Sequence, residues 1–432
     1  MIGPRWDIIE EHLAEAAFLY GQWEKALVDP EYVLAEVAEG PEERMLAHLD
    51  GLVVAGRRAA EKLLLPALAG DDPEVVFAAA WALLMSDDGD FSGQVLAALA
   101  EAQPVNAAAI GRALQISPRA GPLETLPSLV SGGSPAAQAA VTGVLAHRRI
   151  DPGMSLEPLL ISEDPGVRKA ALRLARHFPS RAYPESLERA LQAADPEERD
   201  LAMVAGLIAG LQPAWTACRQ VNGGGGPAWD VPAILYALSG EPDLEPLVAG
   251  LQDNARRRSA LFALGFTGRV EAAEAVLPYL ADPKEGKVAG EAFSAVTGLV
   301  ISGKMATPPE RWDPDAPEEE EEGAGEDLEE DPADALPAPN PAAVEAWWAE
   351  GKKALAAGGR LLAGKPWSQA GLLEALEHAP MRRREALALD LAIRTRGQVQ
   401  LAWNGTTAEQ RSQLAQARLA VAKVSARTYN GA

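Results

Sequence analysis

One cysteine, Cys218, stands in 432 residues, which leaves no partner for an internal disulfide and no thiolate set for zinc. The five histidines, His12, His48, His147, His177 and His378, show no His-Glu-x-x-His or other paired ligand spacing. Aromatic residues make up only 5% of the chain, and runs rich in β-branched residues are scarce, so a sandwich or barrel is excluded. No window reaches the roughly eighteen uncharged apolar residues of a membrane span. The first twelve residues lack a basic stretch followed by an apolar one, so no secretory leader is expected. Gly223 to Gly226 form a run of four glycines without a following Lys-Ser/Thr. They are no phosphate loop and are read as a kink or close approach in one repeat. A Gly-x-Ser-x-Gly elbow is also missing. These absences predict a soluble cytoplasmic protein with no metal or cofactor, and not an enzyme.

What the chain does have is a period. A proline or turn residue recurs every 27 to 31 positions, at Pro73, Pro104, Pro135, Pro165, Pro196, Pro227, Asn254 and Pro283. The sixth residue after each is apolar: Ala79, Ile110, Val141, Ala171, Ala202, Ala233, Ala260 and Ala289. The ninth is apolar in the first seven copies, namely Ala82, Ala113, Val144, Leu174, Ala205, Tyr236 and Ala263. Such spacing is helical, and Asp-Pro at 72–73, 164–165, 195–196 and 282–283 is a start signal. The Asp caps free first-turn N–H groups, and Pro at the first helical position gives up a donor that had no partner. Each repeat therefore reads as a short helix, a turn, then a second helix rich in Ala. One such pair cannot bury its apolar stripe alone, so the pairs must stack into a solenoid.

Charge divides the molecule. Residues 307–341 carry fourteen Asp/Glu against one Arg, a net charge of −13, while 342–432 carry +6 and 1–306 carry −16. Glu318 to Asp334, set among prolines, reads as a disordered acidic linker. The same stretch is open to two other readings: a mimic of an acidic partner shielding the basic piece, or a calcium site, although no spaced carboxylate loop is present. The expected layout is an N-terminal helical cap over 1–60, a repeat array over 61–306, the linker over 307–341 and a basic helical segment over 342–432.

The two ends differ from the repeats. Trp6, Ile9, Leu13, Ala16, Ala17 and Tyr20 fall on one helical face, as an end cap requires. Near the C-terminus, 366–378 and 382–395 form another predicted helix pair, with Ala386, Leu389 and Ile393 as its stripe. The segments 12–20 with Trp23, 47–52, 364–368 and 381–389 resemble a bacterial family of HEAT-like repeat proteins often encoded among type VI secretion genes. The resemblance implies an all-α, HEAT/armadillo-type right-handed α-solenoid carrying the acidic insert. It implies no activity, only an adaptor or accessory role near a secretion machine, of effector, chaperone or immunity type.

On this reading the chain is a protein-binding scaffold whose concave face holds a partner. The net charge of −16 on the array favours a partner with basic patches and disfavours nucleic acid, which demands clustered Lys/Arg. Candidate partner-binding residues are Trp347 and Trp348, as a docking surface or as an internal staple. Arg382, Arg383 and Arg384 join them, because they stand at the end of a helix where the dipole disfavours cations. For the three arginines a solvated turn is the competing reading. The alternative function is a helical-repeat enzyme of the lyase or DNA-glycosylase kind. Oligomeric state is not legible.

Overall fold

The computed structural model describes residues 5–119, 121–181, 183–224, 230–308, 331–356, 359–421 and Tyr429. It is an all-α HEAT-like solenoid of stacked helix pairs. The only strands among the described residues are the two-residue pair Leu361–Leu362 and Lys365–Pro366. Prolines open the second helices Pro73–Met85, Pro104–Ile116, Pro135–Arg148, Pro165–Ala175 and Pro196–Ala209. Asp72 accepts from the amides of Glu74 (2.9 Å) and Val75 (3.1 Å), and Asp164 and Asp195 cap their own helices in the same way. At Asn254 and Pro283 the helices start later, at Arg257 and Gly286. There Asp253 and Asp282 close a preceding turn, Asp282 accepting from Lys284 and Glu285. Pro227 lies outside the described residues. Every sixth- and ninth-position residue named above is buried.

The chain divides into two compact units. The first comprises 1–28, 32–220 and 376–432, and the second 29–31 and 221–375. In the first, consecutive second helices pack directly on one another, and each short first helix packs on its own partner. Small residues allow the close approach: a Cβ at Gly111 would stand 3.3 Å from the Cβ of Ala140. The row is closed at its start by Trp6–Ala26, which packs on Glu43–Val54 and Pro73–Met85. Tyr20 stacks on Phe77 there, with ring centroids 3.7 Å apart.

The C-terminal helices belong to this same unit. Met381–Arg394 packs on Pro196–Ala209, and Thr407–Val421 reaches the N-terminal turns. The amide of Met381 donates to the carbonyl of Tyr32 (2.8 Å). Glu42, 4% exposed, accepts from the indole of Trp23 (3.0 Å) and from both the amide and the hydroxyl of Thr407 (2.9 and 2.6 Å). A buried carboxylate thus ties the first turns of the chain to the start of its last helix.

The second unit stacks Asp230–Ser239, Arg257–Thr267 and Gly286–Thr297 in turn. The 361–364 hairpin lies along their C-terminal ends, with Leu361 donating to Gly268 (2.7 Å) and Ala363 to Ala295 (2.9 Å). Gly268, at φ +66°, sits so close to the Leu361 carbonyl that any Cβ would collide with it. The linker 307–341 needs correction at its C-terminal end. Asp331 pairs with Arg258 (2.7 Å), Ala333 and Leu336 are buried, and Asn340 donates to Met305 (2.7 Å). Ala333 and Leu336 supply the apolar surface that a disordered stretch lacks. Residues 309–330, with most of the acidic run, lie outside the described residues.

Candidate functional site

The inner row of the first unit and its returning C-terminal segment border a cavity of about 750 Å³. It is lined by small residues of successive second helices, among them Ala108, Gly111, Ala140, Gly143 and Ala170, and by Leu401 to Asn404. Gly143 stands inside Pro135–Arg148, where glycine costs about 0.5–1 kcal/mol relative to alanine. A Cβ there would meet only Gln115 Nε2, at an ordinary 3.7 Å. Packing does not require this glycine, and its effect is to keep the wall open.

Most of the polar groups come from the C-terminal ends of the same helices, where the dipole favours cations. Arg112 donates to Glu24 (2.7 Å), Gln115 (3.2 Å) and the carbonyl of Asn404 (2.7 Å), so its fork is fully engaged. Arg148 donates to the carbonyls of Leu114 and Ser117 and fastens two helix ends together. Arg149, in the left-handed conformation at φ +55°, donates to Gln413 (3.0 Å). His147 Nε2 lies 3.3 Å from Glu409. Arg176 donates through Nε to His177 Nε2 at 3.3 Å.

Electrostatics couples this set. Burial pushes Arg176 down to about 10, with Arg149 and Arg173 adding to the shift and Glu385 opposing it. Burial lowers Arg149 as well, and Glu409 counters. His177 is held well below the usual histidine range, first by burial and then by Arg176, Arg149 and His147. Burial lowers His147 against the pull of Glu409. For Glu409 burial alone would raise the pKa, but the hydrogen bond and charge of His147, with Arg148 and Arg149, outweigh it and the net shift is down. Glu385 lines the cavity and is exposed there, yet is crowded by protein on its other sides. That crowding raises its pKa against Arg176 and Arg173. The charged lining is therefore Arg149, Arg173 and Arg176 against Asp164 and Glu385, a small positive excess inside an array whose net charge is negative.

The residues singled out from sequence lie elsewhere. Arg384 is 1% exposed and donates to Gln410 (2.6 Å), Arg383 is buried and Arg382 half-buried. Arg383 and Arg384 stand neither in a solvated turn nor on an open partner surface, because their face of the helix is packed against protein. This burial also leaves Arg383 and Arg384 with nothing for an acidic mimic to shield. Trp348, 5% exposed, and half-buried Trp347 meet Phe293 edge-on, with centroids 5.4 and 6.1 Å away. They staple the second unit internally. Sequence reasoning missed Arg149, Arg176, His177 and Glu385. The signal was there, since His147-Arg-Arg149 and Arg176-His177 both end second helices, one repeat apart.

No family model matches the chain, and no curated protein does. Among solved structures, the X-ray structure of YibA from Escherichia coli aligns at 12% identity and a TM-score of 0.31, covering 64% of this chain and 94% of that one. Human deoxyhypusine hydroxylase, solved with glycerol, aligns at 16% identity and a TM-score of 0.23, with the same coverages of 64% and 94%. Both are HEAT-like helical-repeat proteins, and neither match carries a link to type VI secretion. One expectation is corrected here. The second matched protein is an enzyme by name, so the reading of this chain as not an enzyme is withdrawn: a helical-repeat architecture without familiar motifs does not exclude catalysis. No helix among the described residues is long and apolar enough to cross a membrane.

Proposed function

We propose that this chain is a helical-repeat binding protein that holds an anionic ligand in the cavity of its first unit. The observation that carries the reading is a half-open cavity of about 750 Å³, within the range typical of small-molecule sites, with Arg149, Arg176, His147 and His177 on its wall. A net charge of −16 on residues 1–306 suggested a basic partner on the concave face, but the charge at this cavity has the opposite sign, and local charge governs recognition. The adaptor role near type VI secretion rests on the sequence resemblance alone. A catalytic reading has one observation behind it, the His147–Glu409 pair in the cavity wall.

Gly143→Phe tests the proposal, because it fills the cavity from a position where space is open and improves helix propensity. Equilibrium dialysis of a host metabolite extract should enrich at least one anionic compound with the parent chain and not with the variant. Identical enrichment profiles for the two proteins, with both folded, would overturn it.

A further inference from the structure

Resting on that reading, we infer that the ligand is a phosphorylated small molecule. Its phosphoryl group is gripped by Arg149 and Arg176, and its body lies against Trp403 and the Ala/Gly lining. Three observations lead there.

The first is the state of the arginines lining the cavity. Arg173 pairs with Glu197. Among the described residues Arg149 and Arg176 have no ion pair within 4 Å; a neutral amide takes one nitrogen of Arg149, and a neutral imidazole takes Nε of Arg176. Two guanidinium forks without carboxylate partners match a group with two charges and three terminal oxygens better than a single carboxylate.

The second is the histidine behind them. His177 Nε2 accepts from Arg176 Nε, so the neutral ring carries its proton on Nδ1. That Nδ1 is buried and has no hydrogen-bond partner. The imidazole therefore orients Arg176 and sets a spare donor behind it at the cavity wall.

The third is the wall itself. Trp403, half-buried, and the small residues Ala108, Ala140 and Gly143 line the same cavity, so an aromatic ring and unbranched small side chains share its wall. A planar organic body suits that wall. Three carboxylates oppose an anion here: Asp164 lines the cavity, Glu409 acts on Arg149, and Glu385, also in the lining, acts on Arg176. An incoming phosphoryl group would displace the two glutamates from those roles. A long polyanion such as nucleic acid is disfavoured by the acidity of the array around the cavity.

Isothermal titration calorimetry on the full chain tests the inference with adenosine monophosphate, inorganic phosphate and citrate as probes. Adenosine monophosphate should bind at one site and more tightly than inorganic phosphate. Arg149→Gln and Arg176→Gln should each weaken it roughly ten-fold or more, as loss of charge-assisted hydrogen bonds implies. Arg176→Lys, which keeps the charge and removes the fork, should also weaken binding, and it guards against misfolding of the neutral variant. Gly143→Phe should abolish binding, and Arg58→Gln, on an exposed helix away from the cavity, should change nothing. Citrate binding that depends on Arg176, without binding of either phosphate probe, overturns the phosphoryl assignment and leaves the anionic cavity standing. Phosphate binding that survives both glutamine variants places the site elsewhere and overturns the inference. Absence of binding by all three probes at millimolar concentration also overturns it, while the extract experiment judges the cavity on its own.

Discussion

At the scale of single residues, the cavity's histidines give the fold a dependence on pH with a defined sign. His177 and His147 are both held below the ordinary histidine range, so the folded chain keeps them neutral where the unfolded chain protonates them. The unfolded state then binds more protons below the unfolded value of about 6.5, and stability falls as pH drops from there towards the folded values. Groups facing His177 are Arg176, Arg149 and His147, all of which oppose its protonation. Urea midpoints measured at pH 7, 6 and 5 should fall in sequence, and His177→Gln should flatten the trend. An unchanged slope in that variant would mean that His177 is protonated in the fold and that its proton is not confined to Nδ1. Cys218 illustrates the opposite kind of residue: burial pushes its thiol up, so it is inert in the folded state and no evidence for a site.

At the scale of elements, what could be read from sequence was local and periodic. Asp72-Pro73 and Asp164-Pro165 set helix starts, and the sixth and ninth positions, such as Ala171 and Leu174, set the buried face. The return of the C-terminal helices was not legible, because its contacts join residues hundreds of positions apart and have no periodic signature. Arg112 meets Asn404, Gln400 meets the carbonyl of Arg176, and Glu42 meets Thr407. The candidate site was lost with it, since Glu385 and Leu401 to Asn404 of the cavity wall arrive on that returning segment. Arg383 and Arg384 misled for the same reason: without the fold, a basic triplet reads as surface. The clasp at Glu42 is the element contact most open to test. It accepts the first amide of Thr407–Val421, where the helix dipole favours an anion. Glu42→Ala leaves the Trp23 indole and the Thr407 donors buried without acceptors and should cost about 2–3 kcal/mol. Glu42→Gln, which keeps an acceptor oxygen, should cost less. Chemical denaturation checks both, and equal losses would mean that the charge, rather than the acceptor geometry, holds the clasp.

At the scale of the whole molecule, the reading of the acidic segment as a linker can be tested by removing it, and the residues that flank it show where to cut. Pro309 to Glu330 carry twelve acids against one Arg, nearly half of the chain's net charge of −23. The chain on either side is anchored within one unit: Thr307 donates to Ala338 (2.8 Å) and, through its hydroxyl, to Pro339 (2.8 Å). Asp331 caps the turn that follows and pairs with Arg258. A cut extended to 340 would remove Ala333, Leu336 and the Asn340 bond to Met305 along with the charge. Replacing only 309–330 with a short Gly-Ser linker keeps these anchors, and loop shortening of this size changes closure entropy by well under about 2 kcal/mol. Removing that many like charges also relieves repulsion among the remaining carboxylates. The melting temperature should therefore stay within roughly two degrees of the parent, while replacement of 309–340 should lower it by about five degrees or more. Solubility near neutral pH should fall in both variants, since the net charge moves towards zero. A large drop in melting temperature for the shorter replacement would show that the acidic run itself packs against the second unit, and its reading as a linker would be wrong.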